Sequence, residues 1–356
     1  MKGNEALAEA AIRAGCNAYF GYPITPQSEI LEYLAEEARH RGMIVLQAES
    51  EVASINMVYG AAGAGFRVMT SSSSPGVSLM QEGISYIACA ELPCLIVNVN
   101  RGGPGLGTIQ PSQGDYFQSV KGGGHGDYKL IVLAPASVQE MADFVYLSFD
   151  LADKWRNPVL ILSDGALGQM MEKVTFPEYD PKAHAVPKPW ATTGKPANRE
   201  RNIITSLHIE PEKMEQINIR LQEKYRRIAE EETRWEEVQT EDAEWVFVAY
   251  GLAARIAHRA VELARAQGIK AGLIRPITLF PYPSKVIADA AARVKGMMCV
   301  EMNAGQMIED VRLAVNGKIP VGFYGRMGGV IPSPEEVFSA FQGMIAKEVH
   351  QTAEAL

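Results

Sequence analysis

With 356 residues, 47% hydrophobic and 21% charged side chains, the chain can bury the cores of two ordinary domains and still carry a linker. A formal charge of -8 argues against nucleic acid and anionic membrane surfaces as partners. No apolar run approaches the roughly 18 residues a spanning helix needs, and Glu5, Glu9 and Arg13 stand where a secretory leader would be apolar, so the expected location is the cytoplasm.

Residues 4–15 space Ala and Leu as a helix does and end at Gly15. Residues 17–23 read as a short strand entering a turn, 28–42 as an amphipathic helix with Ile30, Leu31, Leu34 and Ala38 on one side, and 43–49 as a strand. A small-residue helix over 50–65 precedes a strand ending in hydroxyls over 66–74 and a helix over 75–91. Residues 92–101 form an almost unbroken apolar strand, the pattern of a sheet covered on both faces. Strand 128–135, helix 138–155 and strand 158–164 continue the alternation, which predicts a doubly wound parallel sheet of the α/β class. Prolines and weak periodicity over 176–200 predict an extended linker. Residues 209–239 read as one long charged helix whose Ile217, Leu221, Tyr225 and Ile228 form a buried stripe. A second, smaller α/β unit follows: strand 245–251, helix 253–268, strand 270–276, helix 284–296 and strand 297–302, with a last helix over 333–356. The expected units are therefore 1–175, a linker and helix over 176–242, a second domain over 243–332, and the tail.

Four cysteines, Cys16, Cys89, Cys94 and Cys299, show no CxxC spacing. They are expected to be packed thiols, with no metal ligands in this chain.

Chemistry-bearing residues fall at successive strand ends. GYPITPQSE (21–29) is stiffened by Pro23 and Pro26 and presents Thr25 where open α/β sheets bind ligands. The same loop could simply cap the following helix. Glu51, two residues after Glu49, opens an otherwise apolar helix. There it either complements the helix dipole or, buried, handles a proton. TSSSSPG (70–76) can hold an anion or only cap a helix. Arg101 ends the apolar strand, and Gly102, Gly103, Gly105 and Gly107 after it let backbone approach a ligand or partner; its guanidinium suits a carboxylate. KGGGHGD (121–127) is similarly flexible, with His125 as a polar contact or a turn residue.

In this order GYPITPQSE, QAESEVASINMVYGAAGAG, MTSSSSPGVSLMQEG, ELPCLIVNVNRGGPG and QGDYFQSVKGGGHGDYKLIVLAP resemble the alpha-type, pyrimidine-binding subunit of 2-oxoacid:ferredoxin oxidoreductases. LIRPITLFPYP (273–283) and VEMNAGQMIEDV (300–311) resemble that family's transketolase-C-type domain. The likeness covers nearly the whole chain and is strongest to the branched-chain, 2-oxoisovalerate version; the 2-oxoglutarate version is also similar. It implies that Glu51 contacts the aminopyrimidine of thiamine diphosphate. Tyr22, Pro23, Ile24 and Ser74 would join it around the cofactor. Thr25, Arg101 and Tyr22 would hold the 2-oxoacid. It further implies a beta-type subunit carrying the diphosphate, Mg2+ and iron–sulfur sites, a gamma-type subunit, ferredoxin as electron acceptor and CoA as acyl acceptor. No GDG motif followed by Asn about 25 residues on, the usual magnesium–diphosphate signature, occurs here, which fits a site divided between chains. Two other readings use the same residues: a subunit of a non-oxidative thiamine decarboxylase or transketolase-like enzyme, and a non-catalytic assembly protein that kept the fold.

Overall fold

The computed structural model describes residues 1–195 and 197–354. Its first half alternates strand and helix: α1 (Gly3–Arg13), β1 (Ala18–Gly21), α2 (Ser28–Glu37), β2 (Ile44–Gln47), α3 (Glu51–Gly63), β3 (Val68–Ser72), α4 (Ser74–Cys89), β4 (Cys94–Asn100), β5 (Ile131–Leu133), α5 (Val138–Trp155), β6 (Pro158–Asp164) and the short α6 (Gly165–Gln169). A stretch without regular elements leads to α7 (Pro211–Glu231). The second half runs β7 (Trp235–Val238), β8 (Trp245–Val248), α8 (Gly251–Ala266), β9 (Ala271–Pro276), β10 (Thr278–Phe280), α9 (Ser284–Ala291), β11 (Gly296–Glu301), α10 (Met307–Val315), β12 (Val321–Gly325) and α11 (Pro334–Glu354).

Two sheets result. The first has the order β10-β5-β6-β4-β3-β1-β2, and the second β12-β11-β8-β9-β7. All pairings are parallel except the antiparallel edges β10 against β5 and β7 against β9. Every residue of β4 and β6 is buried, because helices cover both faces. Alternate residues of β4 serve opposite cores. Leu95, Val97 and Val99 pack with α1, α2 and α5, while Ile96 packs with α3 and α4. Each such side chain contributes roughly 1.5–3 kcal/mol by leaving water. The stripe on α7 is buried as its spacing predicts.

Three expectations are corrected. The helix expected to run to 239 stops at Glu231, and Trp235–Val238 is instead a strand paired to β9. The charges of WEEV hide it: as an edge strand it leaves three of its four residues exposed, and its hydrogen-bond partners lie some forty residues further on. The helix of 28–42 ends at Glu37 and tightens into a 3-10 turn closed by Gly42 at φ 76°. The strand over 270–276 stands as β9, but the expected order places no further strand before the helix at 284. After Ile277 the chain continues as β10 and joins the first sheet. The C-terminal helix is present through Glu354; residues 355 and 356 of the expected tail lie outside the described residues.

The halves are also joined through the segment after the Arg101 loop. Gln113 is 3% exposed. Its backbone N–H donates to Met302 O (3.0 Å), its Oε1 accepts from Met302 N–H (3.0 Å), and its Nε2 donates to Tyr250 O (2.8 Å). Tyr116 donates its hydroxyl to Asp310 at 2.6 Å.

Candidate active site

After β1 the chain moves to one side of the first sheet to form β2, and it returns on the other side of β1 as β3. Loops leaving the carboxyl ends of β1 and β3 therefore diverge and leave a crevice between them, the place where open α/β sheets bind ligands. The loop after β1 is residues 22–26, and the turn after β3 contains Ser73 and Ser74.

Residues 22–26 are pinned from below. Gln27 is fully buried and donates through Nε2 to Tyr22 O (3.1 Å), while its Oε1 accepts from Ser71 (2.6 Å). Asn4 Nδ2 donates to Pro26 O at 2.8 Å. Pro23 and Thr25 are thereby held exposed, with Tyr22 and Ile24 half-buried. Arg101 Nη1 donates to Thr25 O (2.9 Å) and Nη2 to Leu106 O (2.9 Å), so the guanidinium ties the β1 loop to the Gly-rich loop. Ser74 Oγ accepts from the Arg101 N–H at 3.1 Å. Arg101 thus contacts both Thr25 and Ser74.

Glu51 opens α3 behind Ser50, whose hydroxyl caps the helix through Ala53 N–H at 3.2 Å. Glu51 is 6% exposed, whereas Glu49 faces solvent. The carboxylate leans against the first turn of α4. A Cβ at Gly76 would stand 2.5 Å from Glu51 Oε1 and 2.0 Å from Ser72 Oγ, so only glycine allows this approach. The acid is therefore brought to the same turn that carries Ser74.

Polar groups beyond those expected from sequence fill the crevice floor. Asn98 and Asn100 interrupt the apolar β4, and Asn98 Nδ2 donates to Asp115 Oδ2 at 2.8 Å. Burial pushes the Asp115 carboxyl above its ordinary range, against the pull of hydrogen bonds from Ser74 and Asn98. Thr70 Oγ1, Ser72 Oγ, Ser73 Oγ, Asn98 Oδ1, Asn100 Nδ2 and Arg101 Nε are buried with no protein partner among the described residues. Unpaired buried polar atoms cost about 1–3 kcal/mol each, so six at the carboxyl ends of two adjacent strands mark a cradle for a polar ligand. A visible signal existed for the asparagines: two amides in an otherwise apolar strand have no packing purpose. His125 lies elsewhere; its carbonyl accepts from Ser85, in the last third of α4, and its ring meets Tyr86.

The family model for the thiamine-diphosphate-binding part of pyruvate flavodoxin/ferredoxin oxidoreductase matches residues 9–240, and that for core domain II of pyruvate:ferredoxin oxidoreductase matches 243–337. The chain belongs to this family. Among members of the pyruvate:ferredoxin oxidoreductase family, the ketoisovalerate oxidoreductase subunit VorB of Methanothermobacter thermautotrophicus is 55% identical over 92% of this chain and 93% of its own length. The 2-oxoglutarate synthase subunit KorA of Methanocaldococcus jannaschii is 38% identical over 96% and 99%. The 2-oxoglutarate:ferredoxin oxidoreductase from Magnetococcus marinus, solved with 2-oxoglutarate, coenzyme A and succinyl-CoA bound, superposes with a TM-score of 0.84 at 27% identity. This chain is covered to 98% and spans 65% of that one. A split-gene transketolase, at TM-score 0.63 and 15% identity, shares the fold.

The residues present suit the pyrimidine end of thiamine diphosphate. A buried carboxylate and unpaired hydroxyl and amide groups can engage the ring nitrogens and amino group of an aminopyrimidine. Among the described residues no group of three or more His, Cys, Asp or Glu is placed to hold a metal ion, and no helix is long and apolar enough to cross a membrane.

Proposed function

We propose that this chain is the pyrimidine-side subunit of a thiamine-diphosphate-dependent 2-oxoacid:ferredoxin oxidoreductase that converts 2-oxoisovalerate and related branched-chain 2-oxoacids to acyl-CoA and CO2. A beta-type partner would supply the diphosphate, Mg2+ and iron–sulfur sites, and electrons would pass to ferredoxin. The observation that carries the reading is the convergence of Glu51, Thr25, Ser74 and Arg101 at the carboxyl ends of β1, β3 and β4, beside five further unpaired buried polar atoms from Thr70, Ser72, Ser73, Asn98 and Asn100. The branched-chain substrate is favoured over 2-oxoglutarate because VorB is 55% identical and KorA 38%.

When bound, the cofactor supplies the carbon nucleophile and electron sink that decarboxylation needs. Within this chain, Glu51 holds or releases a proton at the pyrimidine ring nitrogen, sheltered from water by α4. Tyr22, Pro23 and Ile24 line the same loop and orient the ring. Arg101 is already pinned by two backbone carbonyls, so its position is set before substrate arrives. Its unpaired Nε, with exchange of one carbonyl contact, offers a carboxylate a charge-assisted hydrogen bond. Thr25 presents its hydroxyl beside it, at reach of the 2-oxo oxygen.

The test is co-expression with the beta-type partner and measurement of hydrogen–deuterium exchange at the cofactor C2 position. Glu51→Gln keeps shape and loses the proton function. Exchange and kcat should fall by about 100-fold or more, with assembly and cofactor occupancy retained, while Glu49→Gln stays near wild type. Loss of exchange in Glu49→Gln alone would move the role to the other carboxylate. A panel of 2-oxoacids with CoA and a low-potential dye should rank 2-oxoisovalerate above 2-oxoglutarate; the reverse order refutes the substrate assignment.

A further inference from the structure

A cavity of about 700 Å3 opens at the opposite end of the first sheet, before the amino ends of β4 and β6, within the roughly 300–1,000 Å3 of small-molecule sites. It lies between the end of α4, the start of β6, α7 and the extended segment around Trp190. Helix α4 runs from Ser74 in the active-site crevice to Cys89 in this cavity. At 1.5 Å per residue the two places are about 22 Å apart, and no role proposed above uses the cavity.

Its charge is lopsided. Arg156, Lys213 and Arg220 line it together with a single carboxylate, Glu91. Glu91 is already committed to Arg220 (2.7 Å) and to Lys224 just behind (3.2 Å). The Arg156 guanidinium lies over the Trp190 ring at 4.5 Å and donates through Nε to Glu91 O at 3.1 Å. Among the described residues, its two terminal nitrogens and the Lys213 ammonium have no protein acceptor.

The backbone beneath is strained at this spot. Glu91 (φ 51°) and Arg156 (φ 47°) both adopt the left-handed region, which costs a side-chain-bearing residue about 1–2 kcal/mol and glycine almost nothing. The two touch each other, and both send side chains to the cavity. Each stands where a helix ends, Glu91 after α4 and Arg156 capping α5, so the two helix ends meet at the cavity. Behind the cavity, burial holds the Lys224 ammonium down at about 8 against the pull of Glu91, with Arg156 and Arg220 adding to the lowering.

We propose that this cavity binds a phosphorylated small molecule of the nucleotide class. Its phosphate would take the free nitrogens of Arg156 and Lys213, with Arg220 adjacent, as charge-assisted hydrogen bonds. Its base would rest on the apolar wall formed by Ile204, Ile217 and the Trp190 edge.

The probe is ADP, titrated into the full chain by calorimetry with tryptophan fluorescence alongside. Saturable one-to-one binding is expected, with a dissociation constant on the order of 0.1 mM or tighter. Arg156→Gln and Lys213→Gln should each weaken it about tenfold or more. Lys213 is exposed, so its variant keeps the fold, and an unchanged melting temperature checks this. Trp190→Phe should remove the fluorescence change. Absence of saturable ADP binding overturns the proposal, as does binding unaffected by either cation variant. Competition by thiamine diphosphate would place ADP in the cofactor site and overturn it too. Inorganic pyrophosphate binding as tightly as ADP would overturn the nucleotide assignment.

Discussion

Asp164 ends β6 with a carboxyl that is 2% exposed and caps α6, its Oδ1 accepting from Ala166 N–H (2.8 Å) and Leu167 N–H (3.1 Å). Burial outweighs these bonds and pushes it up to about 6. A raised acid stabilises the fold below its unfolded value of about 3.9, and that contribution is lost as pH climbs through 6. Asp164→Asn keeps an acceptor for the cap and cannot ionise. Urea unfolding of both proteins should show wild type losing about 2–3 kcal/mol relative to the variant between pH 4 and pH 7.5; a constant difference between them would refute the assignment. Arg101→Lys, by contrast, is expected to act on catalysis. Lysine cannot hold Thr25 O and Leu106 O together and still present a fork, so KM for every 2-oxoacid should rise. Steady-state kinetics of the assembled enzyme give the answer, and wild-type KM would return Arg101 to a purely structural role. These single residues divide by how their signal is written. Glu51, Thr25 and Arg101 sit in motifs that mark themselves. Asp115 and Asn98 matter because they are near each other in space, and seventeen positions of chain hide that in the sequence.

The first turns of α3 and α4 are pressed together at Gly76. Gly76→Ala should force Ser72 and Glu51 aside, costing about 1–3 kcal/mol of stability by overpacking and displacing the proposed proton-handling group. Chemical denaturation together with C2 exchange in the assembled enzyme checks both effects; full exchange would mean Glu51 tolerates the shift. Small and apolar residues made these helices legible, and unbroken apolar runs did the same for strands buried on both faces. Such patterns failed where burial is partial. β7, with three exposed residues of four, and β12, half-buried except at the exposed Phe323, follow no strong pattern. Their position is decided by backbone pairing with β9 and β11, which no local rule records.

Across the whole molecule, the loop carrying Arg101 leads straight into the junction between the halves. Gln113→Ala would strand the Met302 N–H in the buried junction, at about 1–3 kcal/mol, while Tyr250 O keeps its bond from the Ala254 N–H (3.1 Å). The variant should melt earlier and be cut faster by protease between the two sheets, and an unchanged melting temperature would show that water replaces the amide. Composition and motif order made two α/β units readable; how they interlock was not, since Gln113 and its partners are 137 and 189 positions apart. Residues 271–280 have a further consequence. That single extended segment gives β9 to the second sheet and then β10 to the first, where Thr278 and Phe280 cover the edge of β5. During synthesis the N-terminal domain waits with that edge open until residue 280 has left the ribosome. The two halves are thus one translational unit: a gene cut between them at residue 242 would leave its first product without its seventh strand.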